Sequence, residues 1–541
     1  MKMKHVLGLV LVGVLLGGLI ACTPPTQQQT DPPPATAQPG TPAPAQPTPA
    51  QPAAPAPEVP ANPDRPIGRG VTVAIVSETP TVAIARHATV IGHWKNVLTH
   101  NGLFRMHPEG LEPLPDLVTG FTAITDSLFD FYLRDNVYFH NGEKMTAHDV
   151  VASLYYVRTT PEQRAAHVNL LSWEAIDDYT VRIDTGVPNS MVFNDLAHQA
   201  NFIMPRSLIE SGHDFSVSPI GSGPFVFNDW RLGDSLSFTA FENYFDSERS
   251  PRIAYVNWRI IPEGASRTIA LETGEVDYIS HVAFSDIPRL EDNPNVTVLM
   301  IPGNTFQYMI MNNERPQFEN RYVRWAIDMA IDRESIVIAA LDGFGTPIWT
   351  TVPPMFRGVT EENTRSFDPD GARRLLAEQG VNPATLAFDL IASDETQRRK
   401  AEVIQANLAD IGIPVSITQM DIATFMEQTA VGEFDASLAN MTAATPQGFM
   451  RNLLTIPLIN VQNRSRIYHQ ELTDLIEEAV VTIDPDARAA VVERAVSISN
   501  YESPYIGINM NIAVRAFNSQ LVTPELAPNG FMFFNMMYWT D

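Results

Sequence analysis

The sequence predicts an α/β fold in which helices cover mixed or parallel β-sheets, and three observations support it. Strand-like and helix-like patterns alternate from Val71 to the end of the chain. Helix, glycine and strand follow one another over residues 396–419, as in an αβ unit. The 541 residues include a single cysteine. No disulfide within the chain is therefore possible, and a large hydrophobic core must stabilise the fold.

The first 21 residues are predicted to be an export signal. Lys2 and Lys4 precede roughly fifteen apolar residues, fewer than the ~20 that a membrane-spanning helix needs. The run Leu19-Ile20-Ala21-Cys22 resembles a bacterial lipobox, in which the cysteine thiol carries a diacylglycerol. We therefore expect a lipid on Cys22 that holds an extracytoplasmic protein at the cell membrane, facing the periplasmic space or the cell exterior. An uncleaved helix with an incidental cysteine is the alternative.

Residues 22–67 are predicted to be a tether. Sixteen of the 43 prolines lie between Pro24 and Pro66, among alanine, glutamine and threonine. Such a composition cannot bury enough apolar surface to fold, and polyproline II segments act as spacers. The segment should let a folded body leave the membrane surface and return to it.

The folded part begins with a buried strand and continues with helices that carry recognisable caps. Each cap rests on a side-chain acceptor before the first turn or a glycine after the last turn. The elements are a strand at 71–76, a helix after the Thr146 and Asp149 pair, a helix after Asn320, a helix at 369–379 between Asp368 and Gly380, a helix at 396–411, a strand at 413–419, and a helix from Asp484 through Ile498.

Charge and motif content exclude several functions. The formal net charge of −26 argues against nucleic acid as a partner, because that binding needs cationic side chains. The chain lacks His-Glu-x-x-His, Gly-x-Ser-x-Gly and phosphate-loop motifs. We therefore expect no enzymatic activity, cofactor or metal. A scattered carboxylate pair for glycoside hydrolysis stays as a distant alternative.

Four segments carry a family resemblance: 133–142 with 145–150, 218–225 with Trp230 and Gly233-Asp234, 323–333, and 367–376 with Gly380. In order and spacing they resemble the extracytoplasmic solute-binding proteins of ABC importers, family 5, which includes peptide and nickel receptors. These motifs belong to the scaffold. Within the second segment, Gly221 and Gly223 are expected to supply turn conformations.

The resemblance implies a two-lobe periplasmic-binding-protein fold, type II-like, with an extra subdomain and a hinge. Lobe I would comprise 68–108, 212–302 and 507–541, the extra subdomain 109–211, and lobe II 303–506, with hinge crossings near Pro302 and Tyr505. The implied function is a monomeric substrate-binding component of an ABC transporter. It would capture a peptide-like or other small organic solute between the lobes and deliver it to the permease and its ATPase subunits.

Eight residues are candidate ligand contacts on the basis of this resemblance. Glu78 and Thr79 follow the first strand, where family members bring a loop to the cleft; a surface turn is the alternative. Phe306 and Tyr308 follow the first hinge crossing, where rings could stack on a ligand or pack in the core. The remaining four follow a strand near residue 440: Asn440, Met441, Thr442 and Gln447.

At three positions the sequence departs from the oligopeptide receptors. Ala444 stands where they hold the peptide amine with an aspartate, Leu438 where they carry an arginine, and Ile422 where they carry a tryptophan. Loss of a buried ion pair removes specific binding of a free amine. We therefore expect a modified peptide, an oligosaccharide or an opine-like compound rather than an ordinary free-amino peptide.

Other readings remain open. Trp94 and Trp349 could stack on sugar rings or lie in the core. His93, His100 and His107 recur at intervals of seven, but Gly102 and Pro108 break the helix that would align them, so nickel binding is a minor alternative. A lipoprotein that presents its ligand to a sensor rather than to a transporter is the alternative function from another class.

Overall fold

The computed structural model describes residues 68–79, 81–84, 90–108, 111–160, 170–442, 444–524 and 530–540, without the side chains of 90, 422 and 423. The predicted signal, the tether and the lipid site at Cys22 lie outside the described residues. None of the helices in these ranges combines the length and apolar character that a membrane span requires.

Strands and helices are numbered in chain order over the described residues. The strands are β1 Val71–Ile75, β2 Phe104–Met106, β3 Pro113–Pro115, β4 Val118–Ala123, β5 Leu128–Leu133, β6 Ser172–Asp177, β7 Thr180–Asp184, β8 Phe225–Arg231, β9 Ser235–Ala240, β10 Tyr255–Ile260, β11 Tyr278–Ser280, β12 Val296–Met311, β13 Gly345–Pro347, β14 Phe388–Ala392, β15 Val415–Gln419, β16 Ala436–Thr442, β17 Tyr505–Asn518, β18 Leu521–Val522 and β19 Tyr538–Trp539. The α-helices are α1 Val90–Thr99, α2 Ala147–Thr159, α3 Val192–Ala197, α4 Arg206–Ser211, α5 Gly264–Glu272, α6 Ile287–Glu291, α7 Pro316–Glu319, α8 Arg321–Ala330, α9 Arg333–Leu341, α10 Pro369–Glu378, α11 Glu395–Asp410, α12 Ile422–Val431, α13 Pro446–Leu454, α14 Gln470–Val481 and α15 Pro485–Glu502.

An 11-stranded mixed sheet has the strand order β15-β14-β16-β12-β17-β11-β1-β10-β9-β8, with β13 paired to β17. Strands β14, β15 and β16 are parallel, as are β1, β10 and β11. The long strands β12 and β17 pair antiparallel along most of their lengths and join the two halves. Their register shifts between Pro302 and Phe306, which pair with Ile512 and Met510.

The two halves of this sheet form the two lobes, which confirms the predicted α/β two-lobe fold. One half, β8 to β11 with β1, packs around Trp94 and Trp258 on one face. The other half, β14 to β16, has a core on each face, one around Phe306 and the other around Ile327. A separate antiparallel sheet, β4-β5-β7-β6, has its own core and forms the extra subdomain. The residue limits given above for the lobes stay a prediction.

The predicted caps are confirmed where the structure describes them. Asp368 accepts a hydrogen bond from the Gly371 N–H at the start of α10, and Gly380 follows with a φ of +67°. Asn320 caps α8 through the Tyr322 N–H. Likewise, Asp484 caps α15. Helix α11 begins at Glu395, one residue before its predicted start, and its cap, Asp394, was not predicted. Local hydrogen bonding therefore sets these helix starts.

Gly221 and Gly223 do not supply the turn conformations that were predicted for them. Neither residue has a positive φ among the described glycines. A Cβ on Gly221 would instead lie 2.3 Å from the Thr99 carbonyl oxygen, and a Cβ on Gly223 2.4 Å from the Thr99 carbonyl carbon. These glycines allow two backbone segments to approach closely, which no side chain would permit.

Candidate functional site

A cavity of about 820 Å³, the first cavity, lies between the extra subdomain and lobe II. One wall comes from Phe104, Phe121 and residues 111–115 and 190–194, and the opposite wall from 355–357, 444–447 and 483–492. A solute in this space touches two bodies that are distant in sequence. The volume falls in the range of about 300–1,000 Å³ that is usual for small-molecule sites.

The subdomain wall is aromatic. Phe104 and Phe193 are 5.2 Å apart and Phe121 and Phe193 5.0 Å apart, measured between ring centroids. Phe104 is buried, whereas 45% of Phe121 is exposed. The opposite wall adds Phe356 and Val492, which belong to the lobe II core. An apolar group of a solute would find a preformed surface here.

Polar contacts across the edge of the first cavity connect the two walls. Gln447 is 2% exposed, and its Nε2 donates to the Ser190 Oγ at 3.1 Å. The Ser190 N–H donates to the Val480 carbonyl at 2.8 Å, and its hydroxyl donates to the Ala479 carbonyl at 3.2 Å. Gln447 Oε1 is buried without a hydrogen-bond partner. The predicted site residue Gln447 is therefore part of the contact that holds the subdomain against lobe II.

The two arginines that line the first cavity already have partners, and Glu112 is a further charged group in its lining. Arg488 donates to the carbonyls of Thr482 and Ile483 at 3.0 and 2.8 Å, and burial lowers its pKa although Glu112 and Asp484 act in the opposite direction. Arg357 pairs with Asp486. Both lining arginines are therefore engaged, and position 444 supplies no carboxylate to the first cavity.

Glu78 and Thr79 line neither cavity described in this section. The Glu78 carboxylate accepts hydrogen bonds from Trp230 Nε1 at 3.2 Å and from the Gly233 N–H at 2.9 Å. Thr79 is buried, and its hydroxyl donates to the Thr81 carbonyl. Pro80 lies outside the described residues. In this structure Glu78 anchors the turn between β8 and β9, whereas Thr79 bonds within its own segment.

Phe306 and Tyr308 are buried in the lobe II core, 0% and 3% exposed. Their rings are 5.2 Å apart, and Phe306 lies edge-on to Phe449 at 5.3 Å. Burial raises the pKa of the Tyr308 hydroxyl above its ordinary value. The core-packing alternative describes both residues in this structure.

The residues around the end of β16 separate to different surfaces. Asn440 lines a second cavity, Met441 packs against the lobe II core, and the Thr442 hydroxyl contacts that of Thr305 at 3.1 Å. Ala444 and Gln447 line the first cavity. Within β16, strand alternation separates Asn440 from Met441, because successive side chains point to opposite faces of the sheet. Leu438 is buried in the other lobe II core, and the Ile422 side chain is not described.

The second cavity, of about 500 Å³, lies where β12 and β17 pass between the lobes. Polar side chains line much of it: Gln307, Asp394, Glu395, Thr396, Gln397, Lys400, Asn440 and Asn511. Phe284 of lobe I and Phe344 of lobe II stack at its edge, with centroids 4.6 Å apart. It shares no lining residue with the first cavity.

The candidate sugar-stacking and metal residues have structural contacts. Trp94 is fully buried and donates to the Gly530 carbonyl, whereas 37% of Trp349 is exposed. His93 is buried with its pKa lowered to about 3, and burial also lowers the pKa of His100. Among the residues that the structure describes, no three His, Cys, Asp or Glu side chains lie together as a metal site.

Sequence reasoning missed most of the first cavity. Its aromatic wall and the stretch around Phe356 belong to segments that the family motifs do not cover. Lys400, which lines the second cavity, was also missed. A single lysine in a helix gives no sequence pattern that distinguishes a buried position from an exposed one. One weak signal of the first cavity was present in the sequence, because Ala444 lies just after the end of a predicted strand.

Comparison with known proteins places this geometry in context. A family model described as "Bacterial extracellular solute-binding proteins, family 5 Middle" matches residues 112–455. The glutathione-binding protein GsiB of Escherichia coli (strain K12) is 27% identical over 454 residues, which are 80% of this chain and 88% of GsiB.

Solved structures agree in fold. HbpA2 from Haemophilus parasuis matches with a TM-score of 0.81 and 24% identity, over 87% of this chain and 100% of HbpA2. The periplasmic binding protein DppA from Helicobacter pylori, in complex with the peptide STSA, matches with a TM-score of 0.68 and 23% identity, over 87% and 98% of the two chains.

Proposed function

The chain belongs to family 5 of the bacterial extracellular solute-binding proteins and is therefore the substrate-binding component of an ABC importer, and we propose that it captures a peptide-like solute in the first cavity. The observation that carries the proposal is the construction of that cavity. Its walls come from the extra subdomain and from lobe II, so a bound solute contacts both. A ligand that touches both sides favours the closed state of a hinged protein.

The solute that we propose has an apolar side group and does not depend on a free amine. The aromatic wall around Phe121 and Phe193 suits an apolar group. Ala444 lines the cavity without supplying a carboxylate, and the lining cations Arg357 and Arg488 are already engaged. GsiB is named for glutathione, and the DppA structure holds a peptide, which makes peptides the first class to test.

A thermal-shift screen tests this proposal. Free-amino peptides, their N-acetylated forms, glutathione, oligosaccharides and opines are each added to the protein, and a ligand raises the melting temperature by mass action. We expect stabilisation by peptide-like compounds, with acetylated forms at least as effective as free ones. Stabilisation by sugars alone would contradict the solute class, and stabilisation by free-amino peptides alone would contradict the inference from Ala444.

A single substitution sharpens the test of the amine. Ala444→Asp places a carboxylate on the cavity wall, and we expect it to increase the affinity for free-amino peptides about tenfold relative to their acetylated forms. Thr442→Asp is the matched control, because Thr442 lies nearby on an exposed position outside the first cavity. If both substitutions had equal effects, the added negative charge would act on the peptide from a distance, which would contradict the position of Ala444 in the wall of the first cavity.

We also propose that a lipid on Cys22 and the tether at 22–67 keep this extracytoplasmic protein at the membrane, beside its permease and ATPase subunits. The support is the lipobox-like run before Cys22 and the proline content that follows. A tethered receptor can collect solute and dock without diffusing away.

A further inference from the structure

The second cavity contains a buried cation. Lys400, on the second turn of α11, is 2% exposed and lines this cavity. Its Nζ donates a hydrogen bond of 2.9 Å to Asn509 Oδ1 on β17, a neutral partner. An ammonium group removed from water is costly unless it is paired and hydrogen-bonded. One neutral amide oxygen does not compensate that cost.

The neighbouring amides are oriented by this lysine. Because an ammonium group can only donate, Asn509 must present its oxygen to Lys400. Asn509 Nδ2 then faces Asn511 Oδ1, at 3.5 Å. This order leaves the Nδ2 group of Asn511 as a donor at the cavity wall. Lys400 and Asn511 thus both present hydrogen-bond donors to the second cavity.

The carboxylates on this wall are committed elsewhere. Asp394 caps α11 by accepting from the Gln397 N–H at 2.8 Å, and its side chain is at the exposed rim. Glu395 pairs with Arg398, with 2.9 Å between Oε2 and Nε. Burial lowers the pKa of Lys400 to about 8, and Asp394 offsets this only in part. The lining groups from β12, β16, β17 and α9 are uncharged.

We propose that the second cavity is a carboxylate subsite distinct from the first cavity, with Lys400 supplying the charge and Asn511 a hydrogen bond. A carboxylate would provide the missing counter-charge and accept charge-assisted hydrogen bonds. The subsite is separate from the first cavity, because the two share no lining residue.

Lysine-selective NMR tests the subsite without knowledge of the natural solute. The chain has five lysines, at positions 2, 4, 95, 144 and 400, so side-chain labelling gives a simple spectrum in the full chain. Sodium acetate is titrated against sodium chloride at equal ionic strength, with acetamide as the neutral isostere. Lys95 is a buried control outside both cavities, and Lys144 is an exposed control.

We expect acetate to shift the Lys400 signal saturably and to raise its pKa, whereas acetamide leaves it unchanged. Asn511→Ala should weaken the acetate response about fivefold, the worth of one hydrogen bond. A Lys400 signal that ignores acetate, or that moves no more than the two controls, would overturn the proposal. Because acetate reports on the subsite alone, a negative result here is separate from a failed thermal-shift screen, which would count against the proposed function.

Discussion

Phe121 provides the most direct test of the first cavity. It lines the cavity, and 45% of its surface is exposed. A phenylalanine side chain buries about 150–250 Å², so roughly 90 Å² remains for a solute to cover. At about 25 cal/mol per Å² this area is worth about 2 kcal/mol. Phe121→Ala should therefore weaken solute binding by up to about 30-fold.

Phe367 is the matched control for this substitution. It has the same exposed fraction, 45%, but lies outside both cavities. Isothermal titration of the stabilising peptide from the screen into wild type, Phe121→Ala and Phe367→Ala compares the three affinities. Only the first variant should lose affinity. Equal affinities for all three proteins would refute the assignment of the aromatic wall to the binding site.

Three further predictions follow from the contacts described above. Glu78→Ala removes the acceptor for Trp230 and Gly233 and should lower the unfolding free energy by about 1–3 kcal/mol with unchanged affinity; a loss of affinity at constant stability would instead support the predicted ligand contact. Lys400 has a pKa of about 8 in the folded protein, against an ordinary value of 10.5, so folding disfavours its protonated form. As the pH rises from about 8 to about 10.5, the unfolding free energy of the wild type should therefore increase by up to about 3 kcal/mol relative to that of Lys400→Met. Urea unfolding across that pH range measures the difference, and parallel curves for the two proteins would argue against a buried cation. Cys22→Ser should release the protein from the membrane fraction without changing solute affinity, and a variant that stays membrane-bound would disprove the lipid anchor.

The sequence alone was sufficient for the fold class and for the ends of several helices. Asp368, Asn320 and Asp484 each accept a hydrogen bond from an N–H group two or three residues further on. Such contacts lie within one helical turn, and their information is contained in a few neighbouring residues. The alternation of strands and helices likewise needs only local periodicity, which is why the α/β class could be predicted, whereas the two-lobe architecture was implied by the family resemblance.

The site required the tertiary structure. One cavity is lined by Phe121, Phe356 and Gln447, although more than 300 residues of sequence separate Phe121 from Gln447. Phe306 pairs with Met441 on the core face of the sheet, while its neighbour Gln307 faces the second cavity, and a sequence pattern did not show which face would be covered.

Burial and partner choice also depend on distant parts of the chain. Glu78 is a plausible cleft residue in the sequence, but the hairpin between β8 and β9 supplies its hydrogen-bond donors. Lys400 is an ordinary helix residue in the sequence, and only the packing of α11 against β17 removes it from water. The free energy of a charged or polar side chain is set by its surroundings, which the fold brings together. The sequence therefore determined the local elements and the family, whereas the tertiary structure decided which side chains a solute can reach.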